Sequence, residues 1–201
     1  MRHMNLILAS TSPYRRKLLE RLHLPFTCVD PAVEETIREG ECAADRACRL
    51  ATEKATVAAK SLESEAIVIG SDQVACLGTQ ILHKPGTAEA AERQLAASSG
   101  QTIHFWTAVS VSLSPSQALL QRLVPCEVKM RELSVAEISH YIALDRPLDC
   151  AGSFKWESLG ITLFESIHTD DPTALEGLPL IALSELLRQA DLSLPLAAQS
   201  G

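Results

Sequence analysis

Residues 6–22 read LILASTSPYRRKLLERL, in which an apolar run leads through a hydroxyl-rich turn into an amphipathic segment. This order is typical of a β-strand followed directly by an α-helix, and the helix would carry Arg15 and Arg16 in its first turn. Cations at that end of a helix oppose its dipole, which favours anions there. Two interpretations remain open. Either the turn binds an anion, most simply phosphate, through backbone amides, hydroxyls and a guanidinium, or Ser12 only caps the helix, Pro13 occupies its first position and both arginines are solvated.

The size and charge of the chain limit the classes of protein to which it can belong. It has 201 residues, 46% of them hydrophobic, which is enough for one substantial core or for two closely joined lobes. A net charge of -7 argues against a nucleic-acid-binding protein or a general binder of anionic membranes. No apolar run is as long as a membrane span, and residues 6–9 are not followed by a signal-peptide cleavage pattern. We therefore expect a cytoplasmic protein without nucleic-acid or membrane partners, whose phosphate ligand is small.

Strand-like and helix-like segments alternate along the chain, which predicts the α/β class. The apolar, β-branched run at 66–69 is typical of a buried parallel strand, and Gly70 is expected to end it so that Asp72 stands just beyond the strand. The two halves of the chain are expected to form two lobes with a cleft between them. Further strands are predicted at 26–29, 103–111 and 123–131, an acidic loop at 31–41, and helices at 43–62, 88–98 and 180–187, with a fourth helix opened by the capping box of Ser134 and Glu137.

Residues suited to phosphate chemistry stand at or near the ends of these predicted elements. A triphosphate needs cations at fixed distances to offset its charge, and carboxylates can hold a divalent metal that polarises the phosphoryl group. Glu35 and Asp72 are the candidate metal ligands. Asp72 is also the candidate general base that activates or orients the attacking water. The candidate phosphate-binding residues are Ser10, Ser12, Arg15, Lys54, Lys84 and Lys155.

Most of these residues also have an ordinary structural interpretation. Lys54 would be a charge on a helix surface, Lys84 a loop residue before a proline, Glu35 part of a solvated acidic run and Asp72 a turn former. The chain contains neither the G-x-S-x-G nucleophile elbow of serine hydrolases nor the G-x-x-x-x-G-K-[ST] phosphate loop of ATPases. Taken one at a time, the residues leave both interpretations open.

Four motifs in one order resemble the Maf family of nucleotide pyrophosphatases: LILASTSPYRR at 6–16, GSDQV at 70–74, HKP at 83–85 and GSFK at 152–155. The resemblance extends from about residue 5 to residue 190. It implies a two-lobed α/β fold, in which a mixed, twisted central sheet is flanked by helices and an active-site cleft lies between the lobes. It also implies one domain over residues 1–201, with a core at about 5–190 and a C-terminal tail at about 191–201.

The resemblance also implies an activity, the hydrolysis of a nucleoside triphosphate to the monophosphate and pyrophosphate. It implies a divalent metal cation (Mg²⁺, Mn²⁺ or Co²⁺), a cytoplasmic location and a homodimer. Asp72 matches the proton acceptor of the family. The positions that match its phosphate- and metal-handling residues are Ser10, Arg15, Glu35, Lys54, Lys84 and Lys155.

Tyr14, Gln73 and Glu157 match the positions that select the base in this family. The combination of Gln73 and Glu157 resembles the subfamily that acts on 7-methyl-GTP rather than on dTTP and UTP. A 7-methylated guanine carries a positive charge, on which an aromatic ring can stack and which a carboxylate can offset. Tyr14 departs from the Trp that this subfamily commonly carries. The alternatives are a pyrophosphatase for dTTP, UTP or another nucleotide, and a non-catalytic nucleotide-binding regulator of cell division.

Overall fold

The computed structural model describes residues 5–62 and 64–195, so the last part of the predicted tail, residues 196–201, lies outside the described residues, as do residues 1–4 and 63. The strands are β1 (Asn5–Ala9), β2 (Thr27–Val29), β3 (Ala66–Leu77), β4 (Gln80–Leu82), β5 (Thr102–Ser114), β6 (Ala118–Met130) and β7 (Phe164–His168). The α-helices are α1 (Pro13–Glu20), α2 (Ala43–Lys60), α3 (Ala88–Ser98), α4 (Val135–Asp145) and α5 (Leu180–Gln189), and short 3₁₀ helices form at Leu159–Leu163 and Pro172–Glu176.

The strands form one mixed sheet with the order β2-β1-β3-β5-β6-β7, and β4 pairs with β3. Strand β1 is parallel to both β2 and β3, whereas the β3–β4 and β6–β7 pairs are antiparallel. The predicted α/β class with a mixed sheet is therefore confirmed. None of the helices that residues 5–62 and 64–195 form has the length and apolar character that a membrane span needs.

Alternating side chains of β1 bury both faces of the sheet. Leu6 and Leu8 pack in a cluster with apolar residues of α1 and α5, while Ile7 and Ala9 pack on the other side with alanines of α2. Successive side chains of a strand point to opposite faces, so helices on both sides require apolar residues at every position. This is why the sequence reads as an unbroken apolar run before the hydroxyl-rich turn.

Helix α2 and strand β3 come into backbone contact at Gly70. A Cβ atom on this residue would lie 2.6 Å from the amide nitrogen of Ala55 and would also collide with the carbonyl oxygen of Ala51. Only glycine therefore permits this approach, in which backbone packs directly on backbone. The contact lies two residues before Asp72 in β3 and next to Lys54 in α2.

The prediction that Gly70 ends the strand is wrong, because β3 continues to Leu77. Residues 71–76 are buried apart from Gln73, which is half-buried, and this burial favours continued strand over a turn. Asp72 consequently stands inside a strand. Strands β4 and β7, which have three and five residues, were not predicted, because such short segments carry little periodicity.

Most of the predicted helices are confirmed. Helix α2 ends at Lys60, two residues before its predicted end. Helix α4 begins with both hydrogen bonds of the capping box, since the side chains of Ser134 and Glu137 each accept from the other residue's backbone amide. The predicted strand at 103–111 is longer, and it is half-buried only at its start, since six consecutive residues from 107 to 112 are buried.

The described residues divide into two compact units, each assembled from separate stretches of the chain. The prediction that the two lobes are the two halves of the chain is wrong, because three of the four unit boundaries fall inside the long strands β3, β5 and β6. The first unit contains the described residues up to Gln73, Thr107–Val124 and those from Asp171 onward, and the second contains Val74–Trp106 and Pro125–Asp170.

Candidate active site

Two predicted carboxylates and one predicted lysine meet in the first unit. Lys54 donates hydrogen bonds from Nζ to Asp72 Oδ1 at 2.7 Å and to Glu35 Oε1 at 2.6 Å. The side chains of Lys54 and Asp72 are only 8% and 9% exposed, whereas that of Glu35 is 54% exposed. We call these three residues the carboxylate–lysine cluster. Lys54 is therefore not a surface charge of its helix, as its ordinary interpretation would have it.

The environment of Asp72 makes it a stronger base than an ordinary aspartate. Burial raises its pKa, because a carboxylate loses hydration when it is removed from water. The cations of Lys54 and Arg15 oppose this effect, while the negative charge of Glu35 adds to it, and the pKa of Asp72 stays above its usual value. A carboxylate with a raised pKa accepts a proton from water more readily.

At the start of α1 the structure confirms the helix cap that the second interpretation of residues 6–22 predicts, and the anion-binding interpretation stays a prediction. Ser12 caps the helix by accepting a hydrogen bond from the amide of Arg15 at 3.4 Å, and Arg16 is exposed and paired with Glu20 at 3.2 Å. Arg15, by contrast, is half-buried. Its Nε donates to the carbonyl oxygen of Gly177 at 2.8 Å, and desolvation lowers its pKa against the attraction of Asp72 and Glu35.

The Gly177 carbonyl also receives a second donor. Ser71 Oγ lies 2.9 Å from this oxygen and 2.7 Å from the carbonyl oxygen of Ala108. Gly177 has a φ of 96° and ends the 3₁₀ helix Pro172–Glu176, a backbone conformation that favours glycine. One carbonyl thus connects Arg15 to the strand residue next to Asp72. No role for Ser71 was predicted from the sequence, because the strand was expected to end at Gly70.

The remaining predicted residues of the first unit lie near the same turn and strand. Ser10 is buried, and its hydroxyl accepts from the amide of Ser12 at 3.1 Å, which fixes the turn. Tyr14 is half-buried in the first turn of α1. Gln73 donates from Nε2 to Thr107 Oγ1 at 3.0 Å and to the carbonyl oxygens of Ala174 and Leu175 at 2.7 and 3.3 Å.

These contacts determine how the Gln73 amide is oriented. Backbone carbonyls accept hydrogen bonds and cannot donate them, so the nitrogen of the amide must face Ala174 and Leu175. The oxygen Oε1 is then the atom of this side chain that can still accept a hydrogen bond. A role of Gln73 in the selection of the base would therefore depend on an N–H donor of the base.

Lys84, Lys155 and Glu157 belong to the second unit, where they stand on connecting segments. Lys84 follows β4 and is exposed, as is Glu157. Lys155 donates from its backbone amide to the hydroxyl of Tyr141 at 2.9 Å and from Nζ to the carbonyl oxygen of Asp145 at 3.0 Å. The segment that carries Lys155 and Glu157 is thus anchored to α4.

The same segment is held at its other end by the side chain of Asp145. Its carboxylate accepts from Ser158 Oγ at 2.7 Å and from the amide of Gly160 at 3.3 Å. A Cβ atom on Gly160 would collide with the carbonyl oxygen of Lys155, so the turn from 155 to 160 closes tightly on itself. Local hydrogen bonds, rather than a regular element, therefore order Lys155 and Glu157.

The candidate donors for a divalent metal are the two carboxylates of the carboxylate–lysine cluster. No group of three or more His, Cys, Asp and Glu side chains that could hold a metal ion occurs in the part of the chain that the structure describes. Mg²⁺ commonly uses one or two protein carboxylates together with water and substrate phosphates. Glu35 Oε1 and Asp72 Oδ1 share one lysine nitrogen, which limits their separation to about 5.3 Å. The residues present fit a cation that is held jointly by protein and phosphate.

Comparisons with known proteins agree with this chemistry. The family model described as "Maf-like protein" matches residues 5–190. A 7-methyl-GTP pyrophosphatase of Xanthomonas axonopodis pv. citri is 56% identical over 94% of this chain and 98% of its own length. The 7-methyl-GTP pyrophosphatase of Aromatoleum aromaticum is 53% identical over 97% of this chain and 100% of its own length.

A solved structure is similar in fold. The structure of the Staphylococcus aureus Ham1 protein has a TM-score of 0.52 and 13% sequence identity, and the match covers 92% of this chain and 99% of that one. At this identity the likeness concerns the fold alone, and it agrees with the mixed sheet and flanking helices described above.

Proposed function

Because this chain belongs to the Maf-like protein family, we propose that it hydrolyses 7-methyl-GTP to 7-methyl-GMP and pyrophosphate. The observation that carries the proposal is the identity of more than 50% to two proteins named 7-methyl-GTP pyrophosphatase, over nearly the whole of each chain. The carboxylate–lysine cluster and the half-buried Arg15 supply the residue types that this reaction needs.

In the proposed reaction Asp72 accepts a proton from the water that attacks the α-phosphorus. The water oxygen forms the new bond to phosphorus, the bond between the α-phosphorus and the bridging oxygen breaks, and pyrophosphate leaves. Lys54 favours the ionised form of Asp72, since its ammonium lowers the pKa that burial raises. A divalent cation (Mg²⁺, Mn²⁺ or Co²⁺) held by Glu35 and Asp72 would supply positive charge to the phosphate oxygens.

The remaining cations neutralise the triphosphate in this proposal. Arg15 offers the part of its guanidinium that does not bind Gly177, and Ser10 and Ser12 lie in the turn before it. The proposal also assigns Lys84 and Lys155 to the neutralisation of the triphosphate. Positioning and charge compensation account for most of the catalysis of phosphoryl transfer, so a set of fixed cations suits this reaction.

Selection of the base is assigned to Tyr14, Gln73 and Glu157. The 7-methylguanine ring is cationic, so the Tyr14 ring offers a face for stacking and the exposed Glu157 offers an opposite charge. Gln73 Oε1 can accept a hydrogen bond from a ring N–H, because its Nε2 is occupied by the protein. A neutral base would gain less from the carboxylate and from the aromatic ring.

We also propose that the enzyme is a cytoplasmic homodimer that binds a nucleoside triphosphate and neither a nucleic acid nor a membrane. The net charge of -7 supports the absence of nucleic-acid and membrane partners, because their extended negative charge would be repelled. Light scattering on the purified protein tests the dimer, and a monomer at micromolar concentration would contradict it.

The deciding experiment measures pyrophosphate release with Mg²⁺ from 7-methyl-GTP, GTP, dTTP, UTP and CTP at matched concentrations. We expect 7-methyl-GTP to be strongly preferred. A preference for dTTP and UTP would keep the pyrophosphatase and overturn its substrate. Binding of nucleotides without any turnover would favour the non-catalytic regulator.

A further inference from the structure

Arg46, on the fourth residue of α2, is a buried cation that the reaction described above does not use. The residue is 9% exposed, and its Nη2 donates to the backbone carbonyl of Glu35 at 3.0 Å. Its Nη1 is buried as well. Within residues 5–62 and 64–195 this nitrogen has no hydrogen-bond partner, and the guanidinium forms no ion pair with a carboxylate.

Two other cations of α2, the half-buried Arg49 and the buried Lys54, are compensated. Arg49 binds both oxygens of Glu41, at 2.5 and 2.6 Å, and also contacts Glu53 at 3.1 Å. Lys54 lies between Glu35 and Asp72, as described above. Arg46 therefore differs from its neighbours on the same helix in that only a neutral carbonyl accepts from it.

A buried guanidinium without a counterion is costly, since it has lost hydration and gained no opposite charge. The position of Arg46 increases this cost. Helical side chains lean toward the N-terminus of their helix, so the charge lies near the positive end of the dipole of α2, which begins at Ala43. Both contributions would be offset by an anion at Nη1.

We propose that Arg46 binds the terminal phosphate of the triphosphate and then the pyrophosphate that leaves. This inference rests on the proposed function for the identity of the anion. The bond to the Glu35 carbonyl places the guanidinium beside the backbone of the residue whose carboxylate shares Lys54 with Asp72. A planar guanidinium offers phosphate oxygens paired N–H donors, and Nη1 is the donor that remains for them.

The test measures binding of inorganic pyrophosphate with Mg²⁺ by calorimetry, so that it does not depend on turnover. Arg46→Met keeps a long apolar stem and removes the charge, and we expect it to weaken pyrophosphate binding about tenfold or more. Arg46→Lys keeps the charge and loses the planar pair of donors. Its affinity for pyrophosphate should therefore lie between that of Arg46→Met and that of the unchanged protein. Arg188→Met, at an exposed arginine of α5, is the matched control and should bind pyrophosphate as the unchanged protein does.

A second readout separates this role from a structural one. Binding of 7-methyl-GMP, which lacks the distal phosphates, should be the same in Arg46→Met and in the unchanged protein. Circular dichroism confirms the fold of each variant, and Arg46→Lys keeps the test valid if the methionine variant unfolds. Equal pyrophosphate affinity in folded Arg46 variants, or no pyrophosphate binding by the unchanged protein, would overturn the inference and leave a buried water as the partner of Nη1.

The two proposals can fail separately. A protein that hydrolyses 7-methyl-GTP, and whose folded Arg46→Met variant keeps its pyrophosphate affinity, contradicts only the role of Arg46. A protein that binds pyrophosphate through Arg46 but hydrolyses none of the five nucleotides supports this anion site and contradicts the proposed function.

Discussion

Lys54 and Asp72 stand on a helix and a strand of the first unit, whereas Lys155 and Glu157 stand on a connecting segment of the second. The first pair is more than nine-tenths buried, and its charges are held 2.7 Å apart by the packing of α2 on β3. The second pair is half-buried and exposed, and hydrogen bonds to α4 order it. Packing between a helix and a strand thus holds the charges of the first pair, whereas hydrogen bonds hold those of the second.

This difference determines what each region can contribute. A charge that is held by packing between regular elements has a shifted pKa and little freedom, which suits proton transfer. A charge on a segment ordered by local hydrogen bonds can be exchanged without loss of the core, which suits recognition of the base. Substitutions in the first region should therefore affect turnover and folding, and those in the second should affect selectivity.

The largest effect is expected for Asp72→Asn, which keeps the shape of the side chain and removes the base. Turnover should fall about 100-fold to 10,000-fold, while 7-methyl-GTP still binds. Pyrophosphate release and equilibrium binding of the nucleotide measure the two quantities. The control is Asp191→Asn, at an exposed position with a positive φ that asparagine tolerates. An unchanged rate in Asp72→Asn would exclude Asp72 as the base.

The next effect is expected for Lys54→Met, which leaves Asp72 buried without its ammonium partner. Unfolding in urea at neutral pH should show a loss of about 3 kcal/mol, because the removal of one member of a buried ion pair strands the other. The control is Lys60→Met, an exposed lysine at the end of the same helix, which should change stability by less than about 0.5 kcal/mol.

The Lys54→Met variant also has a predicted pH dependence. Without the ammonium, burial raises the pKa of Asp72 further above that of the unfolded chain. The folded variant then binds a proton more readily than the unfolded one, so its stability increases as pH falls through the raised pKa and is lost as pH rises again. Urea unfolding from slightly alkaline to mildly acidic pH checks this. If the difference in free energy of unfolding between Lys54→Met and the unchanged protein stays constant over that pH range, the burial of an ionised Asp72 is contradicted.

A smaller effect, on the choice between substrates, is expected for the segment that carries Lys155 and Glu157. Glu157→Gln should reduce the preference for 7-methyl-GTP over GTP about tenfold, because the charge that offsets the methylated ring is lost. Turnover of GTP should change little, and so should the urea midpoint, since the side chain is exposed. Competition assays with both nucleotides measure the preference. Unchanged selectivity would remove Glu157 from the selection of the base.

The smallest effect is expected for Tyr141→Phe, which deletes the hydroxyl that accepts from the Lys155 amide. The buried hydroxyl is neutral, since burial raises the pKa of Tyr141, so no charge is lost. We expect a loss of about 1 kcal/mol and faster hydrogen exchange at the Lys155 amide. Ser158→Ala, which removes one exposed hydrogen bond to Asp145, should cost less. If Lys155 exchange is unchanged in Tyr141→Phe, the hydroxyl does not order this segment.

Much of the first region follows from sequence patterns alone. The apolar run at 6–9, the Ser12 cap and the helix with Lys54 all have a local signature, and each is present. The meeting of Lys54, Asp72 and Glu35 could be expected because these residue types serve one chemistry. Its geometry could not, since the extension of β3 beyond Gly70 depends on packing against α2 and not on local propensity.

The contacts between distant residues had no local signature. Arg15 binds the carbonyl of Gly177, 162 residues away, and any residue type provides a carbonyl. Lys155 depends on a hydroxyl 14 residues earlier, and Asp145 orders the same segment from the end of α4. It could not be predicted either that Arg46 has no carboxylate partner among the described residues, because the sequence does not show which carboxylates pair with Arg49. Such partners are fixed only when the chain is compact.

Gly70 has no side chain to take part in the reaction, yet a survey of random variants would mark it as indispensable. Every other amino acid carries a Cβ, and here that atom meets the backbone of α2 at Ala55 and Ala51. To make room, the helix must move away from the strand and take Lys54 with it. Harmful substitutions at position 70 would therefore reflect the close packing of α2 on β3. Genetic data alone would attribute them wrongly to the binding of a ligand.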